Sequence, residues 1–409
     1  MSSELMKRIA FTLGALLVYW LGLRIPLPGI DATVWTAMFD MQSGGMLGQA
    51  NALSGGGLRT LGILSLAITP YISAAIILQL LSMVSRRLRA FMDDGARGRG
   101  TIERYTISAA ALLAVLQAYG IAIGLEGIGP VVPEPGLVFR LTTVLTLTAG
   151  TLFLVWLAGQ ITARGIGNGI ALIIAAGIVN TLPREIAGLL ELSRQGAVAP
   201  GTVPAIAVIA ALVTALVIVM ERARRRLPIA FAERRIGTQT LPAQSTDIAL
   251  KLNPAGIMPT YLAGLILALV QAGSMFAALF TGSDSWASWL RAALAAGTPL
   301  QLIVTAALIV FFTLVYTAFV CDPDRMAARL ASCGGTLPGI APGEATAAHL
   351  DRVISRTAML GAVYLAFVMV LPEFLTAFFG LPFRLGGVTV LVLVCVTLDL
   401  WAEVRALKT

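Results

Sequence analysis

The sequence predicts an all-α polytopic membrane protein, and three observations carry that reading. The chain of 409 residues is 57% hydrophobic and 12% charged, where a soluble domain spends about a quarter of its residues on charge. Its apolar residues gather into ten runs. At roughly 20 residues per membrane helix, ten spans account for close to half the chain. The runs lack period-two alternation, which removes the outer-membrane barrel. The same composition excludes a soluble enzyme, a disordered chain and a collagen-like chain.

The runs lie near residues 9–23, 62–85, 105–125, 140–160, 169–182, 202–220, 254–280, 299–320, 357–372 and 385–402. The first follows Lys7 and Arg8 as a signal peptide would, but Leu23-Arg-Ile-Pro-Leu-Pro-Gly29 offers no small-residue cleavage site, so it is read as a retained span. The second is broken at its start. Gly44-Gly45 and Ser54-Gly-Gly-Gly57 precede it and Pro70 lies within it, so part of the segment should fold back. Non-helical backbone at membrane depth survives only when buried in protein or lining a watery cavity, and a cavity is therefore expected.

Gly165-Ile-Gly-Asn-Gly169, between the fourth and fifth runs, lacks the following Lys and preceding strand of a phosphate loop and reads as a tight turn. After the sixth run comes the densest charge cluster, Arg222, Arg224, Arg225, Arg226, Arg234 and Arg235. The loop from 321 to 356 is long and mixed in charge, with turns at Gly334-Gly335 and Pro338–Gly343. Cytoplasmic loops of that size are expected to meet a partner.

The net charge of +8 is informative through its placement. With a cytoplasmic N-terminus, 22 of the 29 Lys and Arg fall on the cytoplasmic side, and only Arg24, Arg59, Arg140, Arg184, Arg194, Arg291 and Arg384 fall opposite. That asymmetry predicts both termini in the cytoplasm. Cys321, Cys333 and Cys395 show no C-x-x-C spacing and suggest neither a disulfide framework nor a zinc site. The lone His349, near Glu344 and Asp351, reads as solvated.

The span interiors carry essentially no ionisable group; Arg104, Arg140, Glu373 and Asp399 stand at span ends. Ion-coupled transporters place charges at the helix centre despite roughly 2.5–3.5 kcal/mol each. No nucleophile with its base, paired aspartates or H-E-x-x-H is present for intramembrane chemistry. The expectation is therefore no catalytic residue, no cofactor and no metal.

Seven segments in register resemble one family: Ile25-Pro-Leu-Pro-Gly-Ile-Asp31, Ser54-Gly-Gly-Gly57, Ile68-Thr-Pro-Tyr-Ile-Ser73 through Gln79, Gln160 through Ile170, Lys251-Leu-Asn-Pro-Ala-Gly256, Pro338-Gly-Ile-Ala-Pro-Gly-Glu344 and Phe383-Arg-Leu-Gly-Gly387. Together they resemble the SecY family, channel subunits of the bacterial protein translocase, over nearly the whole chain. The resemblance implies ten spans in two pseudo-symmetric five-span halves, an inverted repeat: residues 1–190 with a re-entrant plug near 53–66, and residues 191–409 with cytoplasmic loops near 221–252 and 321–356. It also implies a passive channel, without enzymatic activity, for unfolded preproteins with signal sequences, releasing membrane helices sideways into the lipid. The bacterial plasma (inner) membrane is the implied location.

Carried over residue by residue, the resemblance puts a pore ring at Ile68, Ile72, Ile170, Ile174, Tyr261 and Val392. An apolar constriction is too dry for hydrated ions and offers a passing chain nothing specific to bind. Tyr261 departs from the usual aliphatic, its hydroxyl needs a partner, and an altered seal or gate is expected. The implied plug comprises Leu53, Ser54, Gly55, Gly56, Gly57, Leu58 and Arg59, with weak packing and hence a low cost of local opening. Gln79 and Asn253 are the implied lateral-gate residues, between the second and third spans on one side and the seventh and eighth on the other. Cytoplasmic docking is assigned to Arg225, Arg226, Arg234, Arg235, Lys251, Arg352 and Arg356.

The implied partners are SecE-like and SecG-like subunits, the SecA motor ATPase or the ribosome as energy source, and membrane lipids. Ala341 stands where the family usually has an arginine associated with SecA engagement, and Glu233, Thr238 and Gln239 fall where basic residues are common. These departures put docking in question and suggest a divergent or accessory copy. Two alternatives stay open: a small-molecule secondary transporter, which the uncharged span interiors oppose, and a non-conducting membrane-assembly scaffold derived from the same family.

Overall fold

The computed structural model describes residues 3–42, 51, 54–85, 87–88, 91, 95–196, 199, 201–231, 234–236, 239–241, 244–281, 285–295, 297–379 and 386–407. Leu53 of the expected plug, Glu233 and Thr238 lie outside them. Each of the ten apolar runs contains a helical stretch, the second only from residue 69 onward and the seventh from residue 258. Among the described residues, eight helices are long and apolar enough to cross a membrane, and two shorter apolar helices, within 69–83 and 258–271, lie inside the second and seventh runs. Residues such as Leu112, Leu116, Leu145 and Leu212 are largely exposed on these helices, which is how a surface bathed in lipid rather than water is built. The chain divides into two compact units, 1–206 with 382–409, and 207–381.

In the first unit, α1 (Ser3–Gly22) leads to a turn and to α2 (Ala32–Gln42). Asp31 caps α2, accepting from the Thr33 and Val34 amides at 2.9 and 3.2 Å. The Thr33 hydroxyl also donates to Asp31, and these bonds hold its carboxyl below the usual aspartate range. A one-turn helix, α3 (Gly57–Thr60), precedes α4 (Thr69–Val84), which begins where Pro70 fits the first turn. Residues 61–68 between them are not helical, so the expected break at the head of the second span is real.

Next come α5 (Gly95–Glu126) and α6 (Leu137–Arg164), which pack as a hairpin. Ala110, Ala114, Ala118 and Ala122 recur every fourth residue on α5 and are fully buried; small side chains let membrane helices approach closely. Ala118 shares a cluster with Leu147 of α6, Leu27 and Leu66. At the turn, Arg140 pairs with Glu126 at 2.7 Å, and the Gly136 amide donates to the same carboxylate.

Helix α7 (Gly169–Arg194) packs on α6 and on α14 (Gly387–Ala406), which puts the last helix in the first unit. Helix α8 (Thr202–Arg222) follows α7. The second unit then holds β1 (Arg224–Phe231), β2 (Arg234–Ile236), β3 (Gln239–Leu241), β4 (Gln244–Lys251), α9 (Met258–Thr281), α10 (Ser285–Ala293), α11 (Pro299–Val320), α12 (Pro323–Ser332), β5 (Gly335–Thr336) and α13 (Glu344–Phe379). Helix α11 packs against both α9 and α13, and the Gln301 amide donates to Glu373 at 3.0 Å across α11 and α13.

The strands are absent from the sequence expectation. They form an antiparallel sheet ordered β4-β1-β5 and a separate β2-β3 pair. Leu227 and Ile229 are buried while Arg226 and Pro228 are exposed, a period-two pattern hidden within a basic run. Leu227 packs with Ala327, Leu337, Leu350, Val353 and Ile354, so the loops after α8 and α11 share one apolar core.

Candidate functional site

The expected ring residues of the first unit are positioned by three elements. Ile68 caps the start of α4 and is 1% exposed, and Ile72 follows one turn later, half-buried. Ile170 and Ile174 stand one turn apart on α7, and Val392 is buried on α14, which packs on that helix. The turn feeding α7 is heavily tied down. Asn168 caps the helix, accepting from the Ile170 and Ala171 amides at 3.0 and 3.4 Å. The Gly167 amide donates to the Glu403 carboxylate of α14 at 2.7 Å, and the Gly169 amide to the Thr162 hydroxyl of α6 at 2.8 Å. The tight turn expected at 165–169 is present, and it fixes the register of Ile170 and Ile174 against both neighbouring helices.

The glycine-rich segment does not match the expectation of weak packing. Ser54, Gly55 and Gly57 are buried. The Asn180 amide of α7 donates to the Gly55 carbonyl at 2.8 Å, while its own oxygen accepts from the Trp20 ring nitrogen at 3.1 Å. The Trp35 ring nitrogen donates to the Leu58 carbonyl at 2.9 Å, and the Arg59 guanidinium forks onto both oxygens of Asp40 at 2.6 and 2.5 Å. Downstream, the Leu27 amide donates to the Leu61 carbonyl at 2.8 Å and the Ile63 amide to the Ile25 carbonyl at 2.9 Å. Several distinct hydrogen bonds must therefore break for this segment to leave, each worth about 1 kcal/mol net. Glycine is required where Gly55 (φ 70°) faces Gly177: a Cβ on Gly55 would lie 2.7 Å from the Gly177 Cα.

Beside this segment opens a cavity of about 980 Å³, lined among others by Arg24, Asp40, Gly56, Arg59, Asn180 and Arg184. The Arg59 guanidinium, and more weakly Arg184, hold the Asp40 carboxyl below its usual range. A carboxylate whose folded pKa is depressed contributes stability above its unfolded pKa, and that stability is lost as pH falls through the folded value. Protection of residues 54–60 from hydrogen exchange is therefore expected to drop below about pH 4, and Asp40→Asn is expected to flatten that dependence. An unchanged acid profile in Asp40→Asn would contradict the assignment.

Gln79 is half-buried and lines a pocket of about 180 Å³ with Tyr71, Ser82, Tyr105 and Thr106. In the second unit, Asn253 is 3% exposed and its amide is engaged locally: it donates to Glu221 at 2.9 Å and accepts from the Gly256 amide at 3.0 Å. The hydroxyl of Tyr261 on α9 is buried and finds no partner among the described residues. A buried orphan hydroxyl costs about 1–3 kcal/mol, so Tyr261→Phe is expected to raise thermal stability in detergent; a fall would reveal a partner for that hydroxyl.

Of the expected docking residues, Arg225, Arg226 and Lys251 are exposed on β1 and β4, with Arg225 opposite Leu250 and Arg226 opposite Ala249. Arg352 and Arg356 are exposed one turn apart on α13 and flank the buried Val353 and Ile354. Arg234 and Arg235 lie in β2, paired in register with Leu241 and Thr240. Among the described residues no group of His, Cys, Asp and Glu is placed to hold a metal ion.

Sequence reasoning missed Trp20, Asp40, Gly177, Asn180 and Glu403. The one available signal was Asn180, a polar side chain at the edge of an apolar run.

Comparison with known proteins follows the same outline. Residues 62–401 match the family model described as SecY. The chain is 40% identical over 410 residues to the protein translocase subunit SecY of Escherichia coli K12, covering 99% of this chain and 92% of that one. It is 40% identical to the same subunit of Vibrio cholerae, covering 98% and 91%, and 37% identical to that of Rickettsia bellii, covering 99% and 94%. Among solved structures, one described as a protein conducting channel aligns with a TM-score of 0.68 at 19% identity, over 100% of this chain and 94% of that one. Sec61 in the canine ribosome-channel complex from the endoplasmic reticulum aligns at 0.63 and 18%, over 100% and 94%.

Proposed function

The chain belongs to the SecY family, and from that premise we propose that it is the protein-conducting channel subunit of a Sec translocase in the bacterial plasma membrane, with both termini cytoplasmic. The observation that carries this reading is the pairing of an aliphatic, uncharged set at Ile68, Ile72, Ile170, Ile174 and Val392 with a folded-back glycine-rich segment tied to α7 beside it. Such a set gives a dry constriction that blocks ions yet yields to any polypeptide. Tyr261 is the ring residue we assign to the second unit, and its hydroxyl, which finds no partner among the described residues, sets it apart from the aliphatic members.

Gln79 and Asn253 are the residues we assign to lateral gating, which is a population shift driven by an apolar client segment, with no chemical step. Energy comes from a partner, a SecA-type ATPase or the ribosome, docking on Arg225, Arg226, Arg234, Arg235, Lys251, Arg352 and Arg356; Ala341 weakens the first of these partners. SecE-like and SecG-like subunits complete the assembly.

The chain reconstituted in vesicles with a SecE-like subunit and the motor ATPase is expected to render a signal-bearing precursor resistant to added protease. Vesicles that accumulate a small solute but protect no precursor would instead favour a secondary transporter. Vesicles that do neither would favour a scaffold.

A further inference from the structure

Two non-glycine residues among those described, Leu61 (φ 41°) and Ala67 (φ 49°), adopt left-handed backbone, a strained state for an L-residue. They bracket residues 62–66, which join the glycine-rich segment to α4. This joint is fixed in place: Leu61 and Leu64 are buried, and the bonds from Leu27 to Leu61 and from Ile63 to Ile25 are backbone bonds. The segment's upstream part, residues 54–60, is held differently. Trp35 and Asp40 of α2 hold it at the Leu58 carbonyl and at Arg59, with Trp35 packed against the cluster that contains Leu61 and Ala122, and the Thr60 hydroxyl donates to the Leu23 carbonyl at 3.0 Å. On α7, the ties shown are the Asn180 bond to Gly55 and the close approach of Gly177 to Gly55.

Helix α7 repeats every 3.6 residues, so Ile170, Ile174 and Gly177 fall within about 60° of one another around its axis, and Asn180 lies about 60° beyond Gly177. The two ring residues and the two contacts holding Gly55 are therefore borne on one helix, the contacts adjoining the ring stripe. We propose that Asn180 is the latch of the plug and that widening of the ring and release of the plug are a single movement of α7. A chain pushing Ile170 and Ile174 aside carries Gly177 and Asn180 off Gly55, which removes the α7 side of the hold; residues 54–60 swing out about the strained joint at 61–67 once the bonds to Trp35, Asp40 and Leu23 also give way. Trp20 acts as a positioning residue, since its ring nitrogen orients the Asn180 amide so that the amide's donor faces Gly55.

The coupling rests on the channel reading; the latch does not. Hydrogen exchange of the full-length chain at rest tests the latch. Asn180→Ala is expected to speed exchange of the 55–60 amides about fivefold, the equivalent of one lost neutral hydrogen bond, with helix 95–126 unchanged as the check on folding. Gly177→Ala, which keeps the amide but places a Cβ 2.9 Å from the Gly55 Cα, is expected to act in the same direction. Unchanged exchange at 55–60 in both variants would overturn the latch.

For the coupling, a client stalled in the native protein is expected to raise exchange at 55–60 to the level of Asn180→Ala; resting exchange with the client engaged would overturn it. A client that fails to engage at all counts against the channel reading and removes the coupling with it, while the latch still stands or falls on the resting measurement.

Discussion

Replacing Ile170 and Ile174 together by asparagine is expected to raise the resting ion conductance of the reconstituted channel about tenfold, the effect of lowering an ion's barrier by about 1.4 kcal/mol. The two residues share one face of α7 and are only half-buried, so their methyl groups, and not the helix backbone, set the polarity of whatever space that face lines. An apolar constriction excludes ions because water leaves it. Two amides supply four donors and four lone pairs, enough to hold water where the aliphatic pair repels it. Ile173, one residue away, is 1% exposed and buried in packing; Ile173→Val is the matched control and should leave conductance unchanged. Equal conductance in the doublet and the native channel, with precursor still transported, would remove these residues from the ring.

Gly169→Leu is expected to be the most destabilising single change in the first unit, by about 3 kcal/mol or more, the upper range for forcing bulk into a packed interior. A Cβ at Gly169 would collide with the Ala158 carbonyl oxygen and lie 2.7 Å from its carbonyl carbon and 2.9 Å from its Cα. Backbone atoms cannot swing aside as a side-chain terminus can, so α6 and α7 must part. Parting them breaks the bond from the Gly169 amide to Thr162 and shifts the Asn168 cap and the Gly167 bond to Glu403, and with them Ile170 and Ile174. Gly159→Leu is the control, because a Cβ there meets nothing within 4 Å. The two variants are compared by thermal unfolding in detergent, and equal midpoints would show that the α6–α7 contact is looser than its geometry.

The sequence made the membrane helices legible because ten long apolar runs have no other stable destination. The break before α4 was legible through Ser54-Gly-Gly-Gly57 and Pro70, residues whose backbone preferences act locally. The sheet was not: Leu227 and Ile229 alternate, but the arginines around them dominate the local composition, and Leu227 is buried by Leu350 and Val353, more than 100 residues away.

The plug segment was found by its glycines and misjudged in its packing. Glycine reads as looseness in a sequence. At Gly55 it instead permits a backbone-to-backbone approach to Gly177, a contact about 120 residues distant that no local pattern announces. The ties from Asn180, Trp35 and Asp40 are long-range in the same way, and each joins side chains that are unremarkable where they stand in the chain.

The most direct measurement is site-specific photo-crosslinking of a precursor stalled partway through the channel, with the probe placed in turn at positions 68, 170, 174 and 392. The account predicts adducts between the precursor and all four positions, and none from Leu112 or Leu145, which are exposed on α5 and α6. A stalled precursor that labels the exposed positions and none of the four would contradict it.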